Sequence, residues 1–360
     1  MENQKSSSLE MEIEDEPPSP AGNISSKRKT TKTKILKPLL RKFGLFFVVE
    51  KPTNNKIDNA CWIEIIQDID ACRELWKEFE PPQTFFDTWE FRLAFYQGYQ
   101  HKPYFMVLRN HEEILALLPL WYEKEKKKYF WFGSWWQEEV RLFAKKPEYI
   151  IPLIHQAPSP LLLNAITQES VNPIKDQIQF QKDESKYVLH LGNFKNHEDY
   201  LMTLKKNTRR NLRKDRNRME KLNPEIIIDN FSDIEELIRT AKKRFRDKND
   251  EADWEDPRRE QTFRNVIKLA GSSYQTRMIT LKVGNKIAGV DLIALFKDTY
   301  LTLKCGYNIQ EFSGAGNYMN LIEIDDAIKL GMNKIDFLQN NYRWKSAFFE
   351  PVPLFLYKKQ

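Results

Sequence analysis

An internal repeat constrains the fold of this chain more than any other feature of its sequence. Residues 105–120 and 278–292 each consist of an apolar stretch, a short polar turn and a second apolar stretch, which predicts two paired strands. Each copy continues through a charged turn into an aromatic strand that ends at a glycine, Gly133 in the first and Gly306 in the second. Internal repeats of this kind indicate repeated structural units. We therefore expect two α/β halves of similar design.

Amphipathic segments precede both copies and are expected to cover the faces of two sheets. The segments predicted to be helical are 68–79, 85–96, 233–245 and 256–269. We place the first half at 59–191 and the second at 192–360. The first copy has Pro119 where the second has Asp291, and it lacks the glycine-rich turn described below. The first half is therefore expected to be degenerate, and the chemistry to lie in the second.

The N-terminal segment, residues 1–58, is predicted to be a disordered tail and linker. It is acidic over 10–16 and basic over 26–34, with few apolar residues between. Leucines and phenylalanines lie among basic residues over 35–50, which fits either a peripheral membrane or partner contact or a linker that docks on the fold. No apolar run is long enough to cross a bilayer, so no transmembrane segment is expected.

The composition favours a cytoplasmic globular protein, with 41% hydrophobic and 30% charged residues. A net charge of +6 favours acidic partners without requiring nucleic acid. The three cysteines are scattered, which indicates a reducing compartment rather than a disulfide framework. Neither metal-ligand spacing, nor a P-loop, nor a Gly-x-Ser-x-Gly elbow is present, so we expect no metal site and none of those enzyme classes.

A glycine-rich turn is the strongest candidate for ligand binding. It lies between a strand that ends at Tyr307 and a helix predicted over 317–330. Its residues are Ser313, Gly314, Ala315, Gly316 and Asn317. Glycines allow close backbone approach, and the first N–H groups of a helix point outward towards an anion. The turn is therefore predicted to bind phosphate.

Asp291 is the candidate acid. It interrupts the apolar face of a strand predicted over 287–295, where a carboxylate needs a partner or a raised pKa. If Lys297 and Asp298 form a two-residue hairpin turn, Asp291 pairs with Lys304 across the hairpin. The pair is either an acid poised beside a substrate amine or a structural ion pair across the sheet.

Three further clusters carry charge near these residues. Tyr342 and Lys345 follow a strand predicted over 334–338, where they are candidates to contact an acyl or phosphate oxygen or to pack the loop. The acids Glu323, Asp325 and Asp326 are predicted to form the solvated face of the helix.

The basic run over 204–221 is either a solvated face or a binding site for phosphate of a nucleotide cofactor or RNA. Its candidate phosphate ligands are Arg209, Arg210 and Arg213.

Taken in order, these motifs resemble the GNAT acyl-CoA N-acyltransferase fold. They are most similar to the tandem-GNAT branch that contains CelD-like acetyltransferases and the Fem peptidoglycan-bridge transferases. The motifs are Phe85-x-x-x-Trp89, Leu118-Pro-Leu120, 206–213, 286–289, 313–316, Asp336-Phe337 and Tyr342-x-x-Lys345. Together they extend from about residue 60 to the end of the chain.

The resemblance implies two GNAT-like halves, each a mixed, mostly antiparallel sheet flanked by helices. It implies an N-acyltransferase that moves an acetyl group from acyl-CoA, a cosubstrate rather than a permanently bound cofactor, to an amine acceptor in cell-envelope or polysaccharide metabolism. The pyrophosphate is expected at 313–317, and the catalytic set to be Asp291, Lys304, Tyr342 and Lys345.

Two departures from the GNAT pattern leave other functions open. Glu311 stands where a GNAT pyrophosphate loop begins with Arg or Gln, and the closing Tyr342 and Lys345 are not adjacent. The Fem relatives use aminoacyl-tRNA instead of acyl-CoA. The alternatives are therefore a Fem-like aminoacyltransferase that binds tRNA through the basic run, or a non-catalytic RNA-binding or scaffold protein.

Overall fold

The computed structural model of the protein describes residues 47–49, 61–246, 253–340 and 344–360. Apart from 47–49, the predicted tail and linker lie outside these ranges, as does the membrane or partner contact predicted over 35–50. Tyr342 also lies outside them.

The elements of the first half extend to β8. In chain order they are β1 (Phe47–Val49), β2 (Cys61–Ile66), α1 (Ile69–Lys77), α2 (Trp89–Tyr99), β3 (Pro103–Arg109), β4 (Ile114–Glu123), β5 (Lys128–Trp131), β6 (Phe143–Ala144), α3 (Ile151–Gln156), β7 (Leu161–Thr167), α4 (Gln168–Val171) and β8 (Gln181–Lys182).

The rest of the chain follows directly. Its elements are β9 (Lys186–His190), α5 (His197–Thr203), α6 (Lys206–Glu220), β10 (Glu225–Ile228), α7 (Ile234–Arg246), α8 (Pro257–Lys268), β11 (Gln275–Val283), β12 (Lys286–Phe296), β13 (Thr299–Tyr307), α9 (Ala315–Lys329), β14 (Lys334–Asp336), α10 (Lys345–Phe348), β15 (Glu350–Val352) and β16 (Leu354–Lys359). Short 3-10 helices lie at Phe85–Asp87, Pro147–Ile150, Phe231–Asp233 and Asp253–Glu255.

The predicted repeat is confirmed. Strands β3, β4 and β5 in the first half, and β11, β12 and β13 in the second, each form an antiparallel meander. Local signals set the helix ends: the Asp256 side chain accepts from the backbone N–H of Arg258, and Pro257 begins α8. The helix predicted over 85–96 is instead a 3-10 turn followed by α2, because Thr88 between them is extended, with ψ of 135°.

The strands form two mixed, mostly antiparallel sheets, as predicted. The first sheet has the order β1-β2-β3-β4-β5-β7-β16-β8, with β6 beside β4. The second has the order β10-β11-β12-β13-β14-β9-β15. In both sheets the parallel contact follows the meander, between β5 and β7 in the first and between β13 and β14 in the second.

The two sheets exchange strands across the boundary predicted at residue 191. Strand β9 precedes that boundary but pairs with β14 and β15 in the second sheet. Strand β16, at the other end of the second half, pairs with β7 and β8 in the first sheet. At its end, Lys359 Nζ donates to the carbonyl oxygens of His155 and Ala157, at 2.7 and 2.6 Å. The sheets are therefore linked in both directions.

Helices cover both faces of the second sheet. Helices α7 and α8 share one aromatic core with α2 of the first half, where the rings of Phe95 and Phe263 meet edge to face at 6.4 Å. Helices α5, α6 and α9 pack on the other face, where they bury Leu212 and Met319. Since side chains alternate along a strand, Leu292 faces the first core and Ile293 the second. None of the helices in the described ranges combines the length and apolar character needed to span a bilayer.

Candidate active site

The β12–β13 hairpin differs from its predicted register by one residue. The predicted two-residue turn is confirmed, but a β-bulge farther along places Asp291 opposite Cys305 and Lys304 opposite Leu292. A bulge inserts one extra residue into one strand and so moves later side chains to the other face. Asp291 and Lys304 therefore lie on opposite faces of the sheet, and the predicted ion pair between them is wrong.

The second sheet opens between β13 and β14. The two parallel strands pair only over residues 299–301 and 334–336, after which β14 ends and β13 continues to Tyr307. Among the described strands, none pairs with this side of β13 beyond residue 301. No described strand therefore takes up the backbone N–H and C=O groups on that edge. We call this gap the β13–β14 opening.

Lys304 and Cys305 lie on β13 beside this opening. Lys304 Nζ is 4.0 Å from Glu138 Oε1 and 5.6 Å from the ring centroid of Trp136. Cys305 is reached by solvent, yet burial, together with Asp291, raises its pKa to about 12. Its thiol is uncharged at neutral pH.

Behind the opening, Asp291 belongs to a buried pair of acids. Asp291 of β12 and Glu323 of α9 are each 1% exposed, and their carboxyl groups lie close enough for each to shift the pKa of the other. The Tyr307 hydroxyl donates to Asp291 Oδ2 at 2.8 Å. Burial raises the pKa of Asp291 to about 7, and burial with the charge of Asp291 raises the pKa of Glu323. The pair therefore holds a proton near neutral pH.

The solvated acidic face predicted for this helix is wrong for two of its three members. Glu323 is in the buried pair, and Asp326, 9% exposed, accepts from Arg277 Nε and Nη2 at 2.6 and 2.7 Å. Asp325 Oδ2 lies 2.6 Å from His197 Nδ1. Helix α9 packs between the sheet and helices α5 and α6. Acids on both of its sides therefore need internal partners.

The glycine-rich turn forms the N-terminus of α9, as predicted. The helix begins after Gly314, whose φ of 94° is a conformation that favours glycine. A Cβ on Gly316 would lie 3.2 Å from the ring of Tyr307, and one on Gly289 would lie 2.6 Å from the same ring. The Tyr307 ring is thus held between two glycines. Gly316 has a packing role besides any contact with a ligand.

Helix α6 covers the inner side of this turn. Asn317 Nδ2 donates to Asp215 Oδ2 at 2.7 Å, and a Cβ on Gly314 would lie 2.9 Å from Asp215 Cβ. Arg218 Nη1 donates to Ser313 Oγ at 2.7 Å, and both side chains are exposed. A carboxylate already lies at the inner side of the helix N-terminus, where the helix dipole favours it. The outer side presents a serine and an arginine to solvent.

The predicted phosphate-binding arginines lie on the face of α6 that leads to the turn. Arg209, Arg210 and Arg213 border an open space of 730 Å³ together with other basic side chains of α6. Arg213 Nη2 donates to Glu198 Oε2 at 2.7 Å, and Arg209 Nη1 donates to the carbonyl oxygen of Met202 at 3.2 Å. The structure therefore brings the basic run and the turn together, although two of the three arginines also have protein partners.

Lys345 is turned inward. Its ammonium donates to the carbonyl oxygens of Phe337 and Gln339 at 2.5 Å and of Leu338 at 3.4 Å, and the residue is 7% exposed. Leu338 has a left-handed φ of 61°, so the chain leaves β14 irregularly. Lys345 thus stabilises the edge of the opening. Its predicted contact with an acyl or phosphate oxygen stays a prediction, as does that of Tyr342.

A buried ionic cluster joins the two halves beside the opening. Lys186 Nζ lies 2.6 Å from Glu139 Oε1 and 2.9 Å from Asp336 Oδ2. Burial by itself would lower the pKa of Lys186, but Asp336 and Glu139 outweigh it and raise that pKa. Because Asp336 is the last residue of β14, the cluster fixes the point at which the two strands part.

These groups suit acyl transfer. Free N–H groups on the edge of β13 can bind a carbonyl oxygen, the buried acids can take a proton, and the turn can bind an anion. Within the described ranges, no three His, Cys, Asp or Glu side chains are arranged to hold a metal ion.

A comparison with protein families bears directly on this region. Residues 206–346 match the family model described as an acetyltransferase (GNAT) domain. The match covers 141 of the 360 residues, all of them in the second half. The match includes β12, β13, α9 and β14, and therefore the opening, the buried acids and the glycine turn. It identifies this part of the chain as an N-acyltransferase domain. No curated protein sequence matches the chain.

Solved structures share the fold at low sequence identity. A conserved protein of unknown function from Bacteroides thetaiotaomicron is 12% identical, with a TM-score of 0.55 over 82% of this chain and 99% of that one. FemX is 8% identical, with a TM-score of 0.54 over 82% and 97%. L-PGS from Bacillus licheniformis is 11% identical, with a TM-score of 0.50 over 76% and 92%. These likenesses extend the shared fold to both halves.

Reasoning from the sequence missed Glu323, although a signal for it is present. Glu323 lies four residues after Met319 and four before Ala327, which are both buried on the core side of α9. Its spacing therefore indicates burial, whereas grouping it with Asp325 and Asp326 by charge indicated a solvated face. Its pairing with Asp291 depends on how α9 packs on the sheet, which no local pattern gives.

Proposed function

We propose that the protein transfers an acyl group, most simply acetyl, from acyl-CoA to an amine acceptor. The observation that carries the proposal is the β13–β14 opening, with a proton-holding acid pair behind it and the N-terminus of α9 at its end. Cell-envelope or polysaccharide metabolism is the setting that we propose from the similarity to the Fem transferases.

The donor is held at both ends in this proposal. Its pyrophosphate lies on the outer side of the turn, against the first N–H groups of α9, with Ser313 and Arg218 beside it. Its thioester lies in the opening, where N–H groups on the free edge of β13 bind the carbonyl oxygen and stabilise the negative charge that develops there.

The buried acid pair provides the base that accepts a proton from the acceptor ammonium. The acceptor ammonium gives one proton to Asp291 through the Tyr307 hydroxyl or a water, and the free amine attacks the thioester carbon. The C–S bond then breaks, the CoA thiolate takes the proton held by Asp291, and the second proton of the attacking nitrogen is released to solvent as the amide forms. A base with a pKa near 7 suits both transfers at neutral pH.

Transfer is direct in this mechanism. Cys305 is the nucleophile nearest to the opening, but a pKa of about 12 leaves almost no thiolate to attack a thioester. Donor and acceptor must therefore bind together, and the kinetics are expected to be sequential rather than ping-pong.

A substitution that adds a negative charge to the glycine-rich turn tests the proposed donor site. Ser313→Glu adds a carboxylate beside the proposed pyrophosphate, and a helix N-terminus tolerates an acid well. We expect acetyl-CoA affinity to fall about tenfold or more, from repulsion at close range. Isothermal titration of the full chain measures it.

The matched control is Ser313→Gln, which has the same size without the charge. It leaves the Tyr307 ring and the packing of Gly316 untouched, unlike a substitution at either glycine. We expect its acetyl-CoA affinity to stay within about threefold of the wild type, since it lacks the charge. Equal affinities for the Glu and Gln variants would exclude the turn as the phosphate site.

A second candidate takes aminoacyl-tRNA as the donor. The observation that favours it is the basic face of α6, which leads to the turn. An RNA bound there should lose affinity steeply between 50 and 200 mM salt, because each phosphate contact releases counterions. Acetyl-CoA binding with no salt-sensitive tRNA binding supports the first candidate, and the reverse result supports the second.

A further inference from the structure

A second cationic cavity lies at the end of β13, under helix α7. It is lined by Arg239, Lys243 and Arg244 of α7 and by residues 307–310, and its volume is 210 Å³. We call it the α7 pocket. Neither the family match nor the predicted phosphate sites on α6 and the glycine turn assign it a role.

Close packing of α7 on β13 creates this pocket. A Cβ on Gly306 would lie 2.5 Å from the carbonyl oxygen of Leu237, so only glycine lets the helix backbone touch the strand there. The next two turns of α7 then extend over the residues that follow β13. This contact therefore fixes the position of the basic side chains on those two turns.

The positive charge of the pocket is only partly neutralised. Arg239 Nη2 pairs with Glu236 Oε2 at 2.6 Å on the exposed side of α7. The nearby acid Glu311 pairs with Lys286. Within the described ranges, neither Lys243 nor Arg244 forms an ion pair. Two such cations in a concave site attract an anion, most strongly a dianion such as a phosphate monoester.

The pocket lies next to the reaction centre, and it shares Tyr307, whose ring packs against Gly316, with the donor turn. Arg244 is near enough to Cys305 to oppose the rise that burial causes in its pKa. Cys305 is opposite Asp291, the proposed base. Helix α7 covers the face of the sheet opposite to α9, whose N-terminus holds the donor pyrophosphate in our proposal.

We propose that the α7 pocket binds a phosphate group of the amine acceptor, so that the acceptor is a small phosphorylated amine. The inference rests on the proposed transferase function. A volume of 210 Å³ is large enough for one phosphate group. The phosphate is held on one face of the sheet while the amine reaches the thioester at the opening.

Binding is tested first, without reference to activity. Arginine Nε–H signals of the full chain are recorded by NMR while inorganic phosphate replaces chloride at constant ionic strength. The signal that Arg244→Gln removes should shift with phosphate. The matched control is Arg246, two residues further on, 65% exposed and paired with Glu255. The signal that Arg246→Gln removes should not shift. An unmoved Arg244 signal would overturn the proposal.

Selectivity is tested next, with O-phosphoethanolamine and ethanolamine as acceptors and acetyl-CoA as donor. The wild type and Arg246→Gln should prefer the phosphorylated amine by about tenfold or more in kcat/KM, as expected for a charge-assisted contact. Lys243→Gln/Arg244→Gln should lose that preference with the KM for acetyl-CoA unchanged. A preference that survives the double substitution, or a raised KM for acetyl-CoA, would overturn the proposal.

The two measurements separate failure of the inference from failure of the proposed function. A phosphate-dependent Arg244 signal in a protein that binds no acetyl-CoA would refute the donor, and with it the acceptor assignment, while leaving an anion site. Acetyl-CoA binding with an unmoved Arg244 signal would refute the α7 pocket alone.

Discussion

Replacing Asp291 by asparagine should slow acyl transfer by about 10²- to 10⁴-fold, the usual contribution of a general base. Asparagine matches aspartate in size and can still accept the hydrogen bond from Tyr307, so acetyl-CoA affinity should not change. In the wild type, kcat/KM should rise with pH through about 7, because the base acts only after it ionises. That rise should be absent in the variant.

Asp325→Asn is the matched control for this experiment. Asp325 lies on the same helix as Glu323, but it faces His197 and is not in the buried pair. Its variant should keep a rate within about threefold of the wild type, since it does not touch the proposed base. If Asp291→Asn gives the wild-type rate across pH 5–9, Asp291 is structural only.

The Asp291→Asn substitution should also change how the free energy of unfolding depends on pH. The pKa of Asp291 is raised from 3.8 to about 7 by folding, so the folded state binds more protons than the unfolded state between those values. This contribution to stability is complete below pH 4 and is lost as pH rises towards 7. The free energy of unfolding of Asp291→Asn should therefore fall less over this range than that of the wild type.

Replacing Lys186 by methionine should lower the free energy of unfolding by about 3–5 kcal/mol. The change leaves Glu139 and Asp336 facing each other across the two halves without their shared cation. In the wild type, a carboxylate oxygen of each acid lies within 2.9 Å of the Lys186 ammonium, and Asp336 is 1% exposed. Urea unfolding measures the loss, and the end of β14 should loosen with it.

Two control experiments test whether the loss of stability is specific to the buried cluster. Lys145→Met removes an exposed pair with Glu113 and should cost at most about 1 kcal/mol. Combining Lys186→Met with Glu139→Gln and Asp336→Asn removes every charge of the cluster and should recover most of the loss. A loss from Lys186→Met no larger than that of the exposed pair would show that the cluster does not hold the halves together.

The sequence was most informative where structure depends on near neighbours. The repeated strand–turn–strand units and the turn between β12 and β13 follow from alternation and turn chemistry within a few residues. The start of α8 at Pro257 follows from the cap at Asp256, whereas α9 begins at Ala315, two residues before its predicted start. The glycine turn and the basic run were both found, and the structure brings them together.

Register and burial were harder to predict. One bulge in β13 moved the partner of Asp291 from Lys304 to Cys305, because a single extra residue exchanges the two faces of a strand. The sequence offered no sign of where that extra residue would lie. The inward turn of Lys345 likewise depends on the irregular exit of β14, where three carbonyl oxygens need a donor.

The sequence by itself determined the two α/β halves, the approximate ends of α1, α7 and α8 and the place of the glycine turn, since each depends on residues close together in the chain. Only the tertiary structure decided that Asp291 meets Glu323, that β9 and β16 change sheets, and that Gly306 brings Arg244 near Cys305. Those contacts join segments far apart in the chain, and they form only when the packing of helices on sheets has fixed the distances between them.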